Sequence, residues 1–145
     1  MIELDLERCI IDTSAWIEFF KGSEDGKLVR EFILRLQNEP TVCYTPTVVI
    51  AEFKKKYVDF GYSSERFDED LERIKYLSTI DQISEHVAIN AGKLRGESEE
   101  SNISIIDCIL LAMAKNYNNC KVLSKDRHIK NKEEGIYIDD GVPEW

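Results

Sequence analysis

Four acidic residues stand in apolar surroundings, where burying an unpaired carboxylate costs several kcal/mol. One ends Cys-Ile-Ile-Asp, one ends Val-Val-Ile-Ala-Glu, one lies in Ile-Ser-Ile-Ile-Asp-Cys-Ile-Leu-Leu and one follows Val-Leu-Ser-Lys: Asp12, Glu52, Asp107 and Asp126. A shared divalent cation satisfies all four at once, because Mg²⁺ and Mn²⁺ bind carboxylate oxygens and keep waters that leave positions for a phosphate. The four acids therefore predict a Mg²⁺ or Mn²⁺ cofactor.

Each acid taken alone has an ordinary structural alternative. Asp12 could cap a helix that follows it, and Asp126 could cap a short turn. Asp107 could form an ion pair with Arg95 or Lys115. These alternatives need four separate compensations, whereas one cation also removes the repulsion that raises the pKa of clustered carboxyl groups.

Short apolar runs that alternate with helical patterns must position these acids. Strands are predicted at residues 8–12, 41–45, 79–83, 121–124 and 135–138. Helices are predicted at 14–20, 26–37, 47–60, 63–77, 84–96 and 104–117, with Ser14 capping the first and Pro46 opening the third. Such alternation is typical of an α/β fold, here a three-layer α/β/α arrangement with a central parallel sheet. Ligands of such sheets bind at the carboxyl ends of the strands, where Asp12 and Asp126 stand.

The overall charge limits the kinds of partner. The chain has 145 residues, 28 of them acidic and 19 basic, so its formal net charge is −9. This balance argues against nonspecific binding of nucleic acid through a broad basic surface. Basic residues are nevertheless concentrated beside the candidate acids, at residues 54–56 and 121–132. Such clusters bind phosphates or form a solvated surface, so RNA is not excluded as a substrate.

The remaining composition indicates an ordinary globular protein. We expect one domain over residues 1–145, in the cytoplasm and without a membrane partner, because no stretch is long enough to span a membrane and Met-Ile-Glu-Leu-Asp is not a signal peptide. Four cysteines without metal-binding spacing are predicted to be reduced and buried: Cys9, Cys43, Cys108 and Cys120. Five acids in a charged helical segment are predicted to face solvent: Glu65, Asp68, Glu69, Asp70 and Glu72.

Four pieces of the chain resemble, in their order and spacing, the PIN domain, the metal-dependent ribonuclease fold of VapC-type toxins. They are Ile-Ile-Asp-Thr-Ser-Ala-Trp at 10–16, Thr-Pro-Thr-Val-Val-Ile-Ala-Glu-Phe at 45–53, Asp-Cys-Ile-Leu-Leu-Ala-Met-Ala at 107–114 and Leu-Ser-Lys-Asp-Arg-His-Ile at 123–129. One departure is Ile129, which stands where the fourth piece often ends in an aromatic residue.

The resemblance implies an endoribonuclease that hydrolyses RNA phosphodiesters. Its catalytic acids would be the four already named, with three of them as metal ligands: Asp12, Asp107 and Asp126. Glu52 would orient or deprotonate the attacking water. Two hydroxyls and two cations are predicted to contact the substrate or to support the acids: Thr13, Ser124, Lys125 and Arg127. His128 is assigned to substrate contact, and His86 to a helix surface.

The resemblance also implies partners. A small antitoxin protein and a homodimer are expected, and five apolar residues could form the corresponding groove or simply be core: Trp16, Phe19, Phe20, Phe32 and Leu36. Three other functions stay open. These are a PIN nuclease of RNA processing or decay without an antitoxin, a degenerate PIN fold that only binds, and a receiver domain phosphorylated on Asp12.

Overall fold

Short apolar runs form a parallel sheet of five strands. In the computed structural model, which describes residues 6–100, 102–130 and 132–138, the strands are β1 (Arg8–Ile11), β2 (Val42–Pro46), β3 (Thr79–Asp81), β4 (Cys120–Ser124) and β5 (Gly135–Tyr137). Their order is β3-β2-β1-β4-β5, and every neighbouring pair is parallel. The predicted α/β fold with a central parallel sheet is confirmed. The segment 1–5, which carried the prediction about a signal peptide, lies outside the described residues.

Seven helices flank the sheet in the described part of the chain. They are α1 (Thr13–Phe20), α2 (Glu24–Leu36), α3 (Thr47–Asp59), α4 (Ser64–Leu77), α5 (Glu85–Glu97), α6 (Ile105–Asn116) and α7 (Arg127–Lys130). Four begin after a serine whose hydroxyl accepts a first-turn backbone N–H: Ser23, Ser63, Ser84 and Ser104. Each cap satisfies a donor that the helix itself leaves unpaired. Within residues 6–100, 102–130 and 132–138, none of the helices combines the length and apolar character that crossing a membrane requires.

The chain changes direction across the sheet between β1 and β4. After β1 it adds β2 and β3 on one side, and it then returns to add β4 and β5 on the other. Ile11 lies opposite Leu123 in the β1–β4 pairing, so the residues that follow these two strands emerge side by side. Loops diverge at such a point and leave a crevice outside the carboxyl ends of the strands. The fold therefore provides a binding site beside Asp12.

The apolar side chains of the first two helices belong to the core. Trp16, Phe32 and Leu36 are at most 1% exposed, and Phe19 is buried with them. Phe20 is partly buried and packs against the same cluster. The groove that these five residues could have formed is therefore absent, and the ordinary-core alternative is correct.

Several element boundaries differ from the predicted ones because of local capping. Asp12 rather than Ser14 caps α1, since its carboxylate accepts the Thr13 N–H, and β1 therefore ends at Ile11. Pro46 has extended backbone angles and closes β2, so it precedes the first turn of α3 and does not belong to it. Two further differences are that β3 ends at Asp81 and that a short helix, α7, follows β4 where the sequence indicates only a turn.

Not all the acids of α4 face solvent as predicted. Asp70 is only 7% exposed and accepts a hydrogen bond from the Tyr57 hydroxyl. Burial, this bond and the charge of Asp70 raise the pKa of Tyr57, so the phenol keeps the proton that it donates. The buried carboxylate therefore has a neutral donor in Tyr57 and a cation in Arg73, 3.9 Å away.

The four cysteines are free and buried, as predicted. Burial is the main cause that raises the pKa of Cys43 and of Cys120 to about 12. These thiols are therefore protonated at neutral pH and behave as small apolar side chains.

Candidate active site

An open cavity of about 650 Å³ lies at the carboxyl edge of the sheet, where β1 and β4 end. The four predicted acids reach it from four different places in the chain, and all of them line it: Asp12, Glu52, Asp107 and Asp126. Thr13, Lys125 and Arg127 line it as well. The fold thus brings together residues that are far apart in the sequence and whose side chains can bind metal and phosphate.

Asp12 is the most deeply held of the four acids. Its Oδ1 accepts the Thr13 N–H at 2.7 Å, and its Oδ2 accepts the Ser124 hydroxyl at 2.6 Å and the Ser14 hydroxyl at 3.3 Å. Burial nevertheless raises the pKa of Asp12 to about 6, and the neighbouring charges of Glu52 and Asp126 add to this rise. The hydrogen bonds offset only part of the cost of burying the charge.

Asp107 is held by the start of its own helix. The Ser104 hydroxyl accepts the Asp107 N–H at 3.0 Å, and Oδ2 of Asp107 accepts the Ser104 N–H at 3.4 Å, which completes a capping box. Burial raises the pKa of Asp107 to about 6, with further contributions from the charges of Asp126 and Asp12. The capping box fixes the carboxylate without neutralising it.

Glu52 and Asp126 complete the acidic group. Glu52 Oε1 accepts the Thr13 hydroxyl at 2.8 Å, and burial together with the charges of Asp107 and Asp126 raises the pKa of Glu52. Asp126 accepts the His128 N–H at 2.8 Å and so caps α7. Asp12 and Asp126 therefore do cap helices, as the structural alternative expected. Their carboxylates also lie in one cavity with Glu52 and Asp107, where the negative charges repel one another.

The chemistry of these donors suits a hard divalent cation, although they are not drawn together as a closed cage. Across residues 6–100, 102–130 and 132–138, no three histidine, cysteine, aspartate or glutamate side chains are grouped so that they could hold a metal ion. Mg²⁺ does not need such a cage, because it binds one or two carboxylates and keeps several waters. Carboxylates that raise one another's pKa are the groups that a cation would stabilise. The residues present therefore fit Mg²⁺ or Mn²⁺ in kind.

Ser124 does not have the predicted position of a substrate contact. Its side chain is completely buried, and its hydroxyl donates to Asp12 while accepting the Asp126 N–H at 2.9 Å. Ser124 therefore supports two of the acids from behind, which is the other role that the resemblance allowed.

Most of the nearby lysines have partners within the chain. Lys55 pairs with Asp59, and the Lys54 ammonium lies over the Phe67 ring. Lys56, by contrast, lines the cavity. Three of the basic residues in the segment 121–132 also make contacts within the chain: Lys121 with the Glu133 carbonyl, Lys130 with the Tyr137 ring and Lys132 with Glu100. Among the lysines and arginines of the two predicted clusters, Lys56, Lys125 and Arg127 line the cavity, and Lys125 also pairs with Glu18 at 3.4 Å and with Asp25 at 3.3 Å.

Glu18 is a cavity residue that the sequence reasoning missed. It is buried on α1, accepts the Ser23 hydroxyl at 2.9 Å and pairs with Lys125 at 3.4 Å. Burial alone would raise the pKa of Glu18, but the Ser23 bond and the charges of Lys125 and Lys21 outweigh it and lower that pKa. An acid inside Trp-Ile-Glu-Phe-Phe meets the same criterion that singled out Asp107, so the signal was present.

His128 and His86 have different surroundings. The Nδ1 of His128 lies 2.7 Å from Oε2 of Glu100, and the ring lines the cavity. His86 is exposed on α5 and contacts Asn90. His128 is therefore in a position to contact a ligand of the cavity, whereas His86 does not line it.

Comparisons with known proteins assign the family and the fold. The family model for the PIN domain matches residues 9–135. No curated protein sequence gives a significant match. Among solved structures, a toxin–antitoxin complex from Klebsiella pneumoniae is 16% identical at a TM-score of 0.65, over 90% of this chain and 97% of that chain.

Two further solved structures show the same likeness. VapC20 of Mycobacterium tuberculosis, described as a sarcin–ricin-loop-cleaving toxin, is 16% identical at a TM-score of 0.66, over 82% of this chain and 90% of that one. VapBC2 from Rickettsia felis, bound to a DNA fragment from its promoter, is 16% identical at a TM-score of 0.69, over 90% and 96%. At such identities the likeness shows the fold.

The strand order also decides against a receiver domain. Receivers have the flavodoxin-like order 2-1-3-4-5, whereas the order here is 3-2-1-4-5. The receiver alternative is therefore wrong. The family match covers most of the chain and includes the four predicted acids, and the parallel sheet has the fold of the matched structures. This chain belongs to the PIN domain family.

Proposed function

We propose that this protein is a metal-dependent endoribonuclease and the toxin of a VapBC-type toxin–antitoxin pair. The observation that carries the proposal is the convergence of Asp12, Glu52, Asp107 and Asp126 on one open cavity. Burial and mutual repulsion raise the pKa of Asp12 and of Asp107 to about 6, which is the state that a divalent cation would relieve. Membership of the PIN family and the likeness to VapC structures support the same function.

Residues of the cavity would bind the metal ion and activate the water that attacks a phosphodiester. Asp12 and Asp107 would hold Mg²⁺ or Mn²⁺, and Asp126 would bind it directly or through a water. When bound, such an ion lowers the pKa of a water ligand and polarises a phosphoryl oxygen. The Thr13 hydroxyl fixes Glu52, which can then orient the attacking water and accept its proton.

Water attacks the phosphorus in line with the bond to the 3′-oxygen. The new bond joins phosphorus to the water oxygen, and the bond to the 3′-oxygen breaks. The 3′-oxygen takes a proton from solvent and Glu52 releases the proton that it accepted, which leaves a 5′-phosphate and a 3′-hydroxyl. Lys56 and Arg127 line the cavity and can bind the flanking phosphates. No covalent enzyme intermediate is required.

The same site would serve a PIN nuclease of RNA processing, and the presence of an antitoxin distinguishes the two functions. A small gene immediately upstream, whose product binds the chain and suppresses its activity, would identify the toxin. A homodimer in the cytoplasm is part of this proposal. A degenerate fold that only binds is disfavoured, because all four acids line the cavity.

Incubating the purified protein with total RNA and mapping the cleaved ends tests the function. We expect internal cleavage that yields 5′-phosphate ends in Mg²⁺ or Mn²⁺ and stops in EDTA. Failure to cleave with either ion would overturn it. Cleavage without suppression by any upstream gene product would leave the nuclease and overturn the assignment as a toxin.

A further inference from the structure

Two aromatic rings stand exposed where α3 ends, at the rim of the acidic cavity. Phe60 is 51% exposed and Tyr62 is 41% exposed, and their ring centroids are 5.5 Å apart. Phe60 also lines the cavity. Neither the core nor the proposed hydrolysis of a phosphodiester needs an exposed phenyl ring at this place. Adjacent exposed aromatic rings beside a site indicate a binding surface.

The backbone presents these rings on a closed turn. The Phe60 N–H donates to the Lys56 carbonyl at 2.9 Å, the Gly61 N–H to the Val58 carbonyl at 3.0 Å and the Tyr62 N–H to the Tyr57 carbonyl at 3.0 Å. Gly61 has a φ of +75°, which only glycine adopts readily, and so it lets the chain turn between the two rings just after α3 ends. These hydrogen bonds fix the backbone that carries both rings, and so they hold the two residues next to each other at the end of α3.

Cations flank the two rings. The Arg66 guanidinium lies 3.8 Å from the Tyr62 ring centroid, and Tyr57 packs edge-on against the same ring. Lys56 lines the cavity one helical turn before Phe60. Aromatic rings next to positive charge are the combination by which proteins bind single-stranded nucleic acid, since bases stack on the rings while phosphates meet the cations.

We propose that the Phe60 ring, with the Tyr62 ring packed beside it at an interplanar angle of 55°, is a stacking platform for an unpaired base whose phosphate lies toward the cavity. The inference rests on the proposed function for its substrate class and deepens it. A base in a duplex has both faces covered by its neighbours, so the platform selects RNA that is single-stranded, looped or frayed next to the scissile bond. Phe60 supplies the surface nearest the cavity, and Arg66 supports Tyr62.

Binding measured without divalent metal tests the platform separately from cleavage. The probes are fluorescein-labelled decaadenylate and a labelled abasic decamer with the same phosphates, titrated in EDTA and followed by anisotropy. Wild type should bind decaadenylate more tightly than the abasic strand. F60A should lose about tenfold in affinity for decaadenylate, with little change for the abasic strand, and F60W should retain binding. Y76A removes an 88% exposed aromatic ring that does not line the cavity, and it should behave as wild type.

The outcomes separate the inference from the proposed function. Unchanged affinity of F60A for decaadenylate would overturn the platform and is the result expected of a surface that binds a protein partner. An equal loss for both probes would also overturn it, because the effect would then not depend on the base. Base-dependent binding through Phe60 in a protein that cleaves no RNA would support the platform while the nuclease fails. If wild type cleaves RNA and F60A binds decaadenylate with unchanged affinity, the nuclease is supported and the platform is overturned.

Discussion

The Ser124 hydroxyl donates a 2.6 Å hydrogen bond to Oδ2 of Asp12, across 112 positions of the chain. Both side chains are buried, at 0% and 5% exposure. The crossover that places β4 beside β1 brings this donor to the acid, so the fold and the site depend on the same strand pairing. The bond favours the charged carboxylate and opposes the effect of burial on the pKa of Asp12.

Replacing Ser124 by alanine should lower the free energy of unfolding and raise the pKa of Asp12. Oδ2 of Asp12 would keep only the 3.3 Å contact from Ser14. We expect the free energy of unfolding to fall by about 1–3 kcal/mol, because a buried charged acceptor loses its best donor. The pKa of Asp12 should rise further. Urea unfolding measures the first effect and carboxyl NMR titration the second.

The matched control for S124A is S64A, at the exposed start of α4. It should change the stability by less than about 0.5 kcal/mol. Equal stabilities of S124A and wild type would show that the buried hydrogen bond contributes nothing to holding Asp12.

The metal-free protein should become less stable as the pH rises through the range in which Asp12 ionises. Its pKa is raised from an ordinary 3.8 to about 6, mainly by burial, so the folded state binds more protons than the unfolded state between these values. Stability therefore falls with rising pH in that window. At about 1.4 kcal/mol per pH unit, the cost above pH 6 is about 3 kcal/mol.

D12N removes this charge and keeps an acceptor for the Thr13 N–H. In EDTA it should be more stable than wild type at pH 7, and the difference should disappear below about pH 4. Urea unfolding across this range measures the effect, with D68N on the exposed face of α4 as the control. If D12N is less stable than wild type at pH 7, the ionised Asp12 carboxylate does not destabilise the metal-free protein, which contradicts this prediction.

Lys56 and Lys55 are adjacent lysines that should differ in their effect on RNA binding. Lys56 lines the cavity, whereas Lys55 pairs with Asp59 at 2.7 Å. K56A should weaken binding of a short single-stranded RNA and reduce the slope of log affinity against log salt by about 0.7, the share of one phosphate contact. K55A should leave the slope unchanged. Equal slopes for both variants would place the phosphates elsewhere.

Periodicity and composition predict most of the fold because the relevant interactions are local. Apolar strands, serine caps and the alternation of strand and helix indicate the parallel sheet. The ends of strands and helices are harder to predict where one side chain has two roles. Asp12 ends an apolar run and also caps α1, and no local pattern separates these roles in advance.

The sequence predicts the four acids of the site, but it does not predict all of the contacts between distant residues around them. Lys56 could have been separated from Lys54 and Lys55, because it stands four residues after Glu52 and so lies on the same face of α3. Glu18 could have been noticed as an acid in an apolar helix. Its partner Lys125, 107 positions away, is set by the crossover from β1 to β4 and not by local sequence.

RNA cleavage by wild type, D107N and D68N, each measured in Mg²⁺ or Mn²⁺ and in EDTA, tests directly whether the acids of the cavity form a metal-dependent nuclease site. D107N should keep the circular dichroism spectrum of wild type. Its activity should fall by more than about 100-fold, because mutating a residue that only hydrogen-bonds to a metal ligand already costs up to about that much. D68N should cleave as wild type, and EDTA should abolish cleavage by both. Cleavage by D107N at the wild-type rate, or cleavage that persists in EDTA, would contradict a metal-dependent site built on the cavity acids.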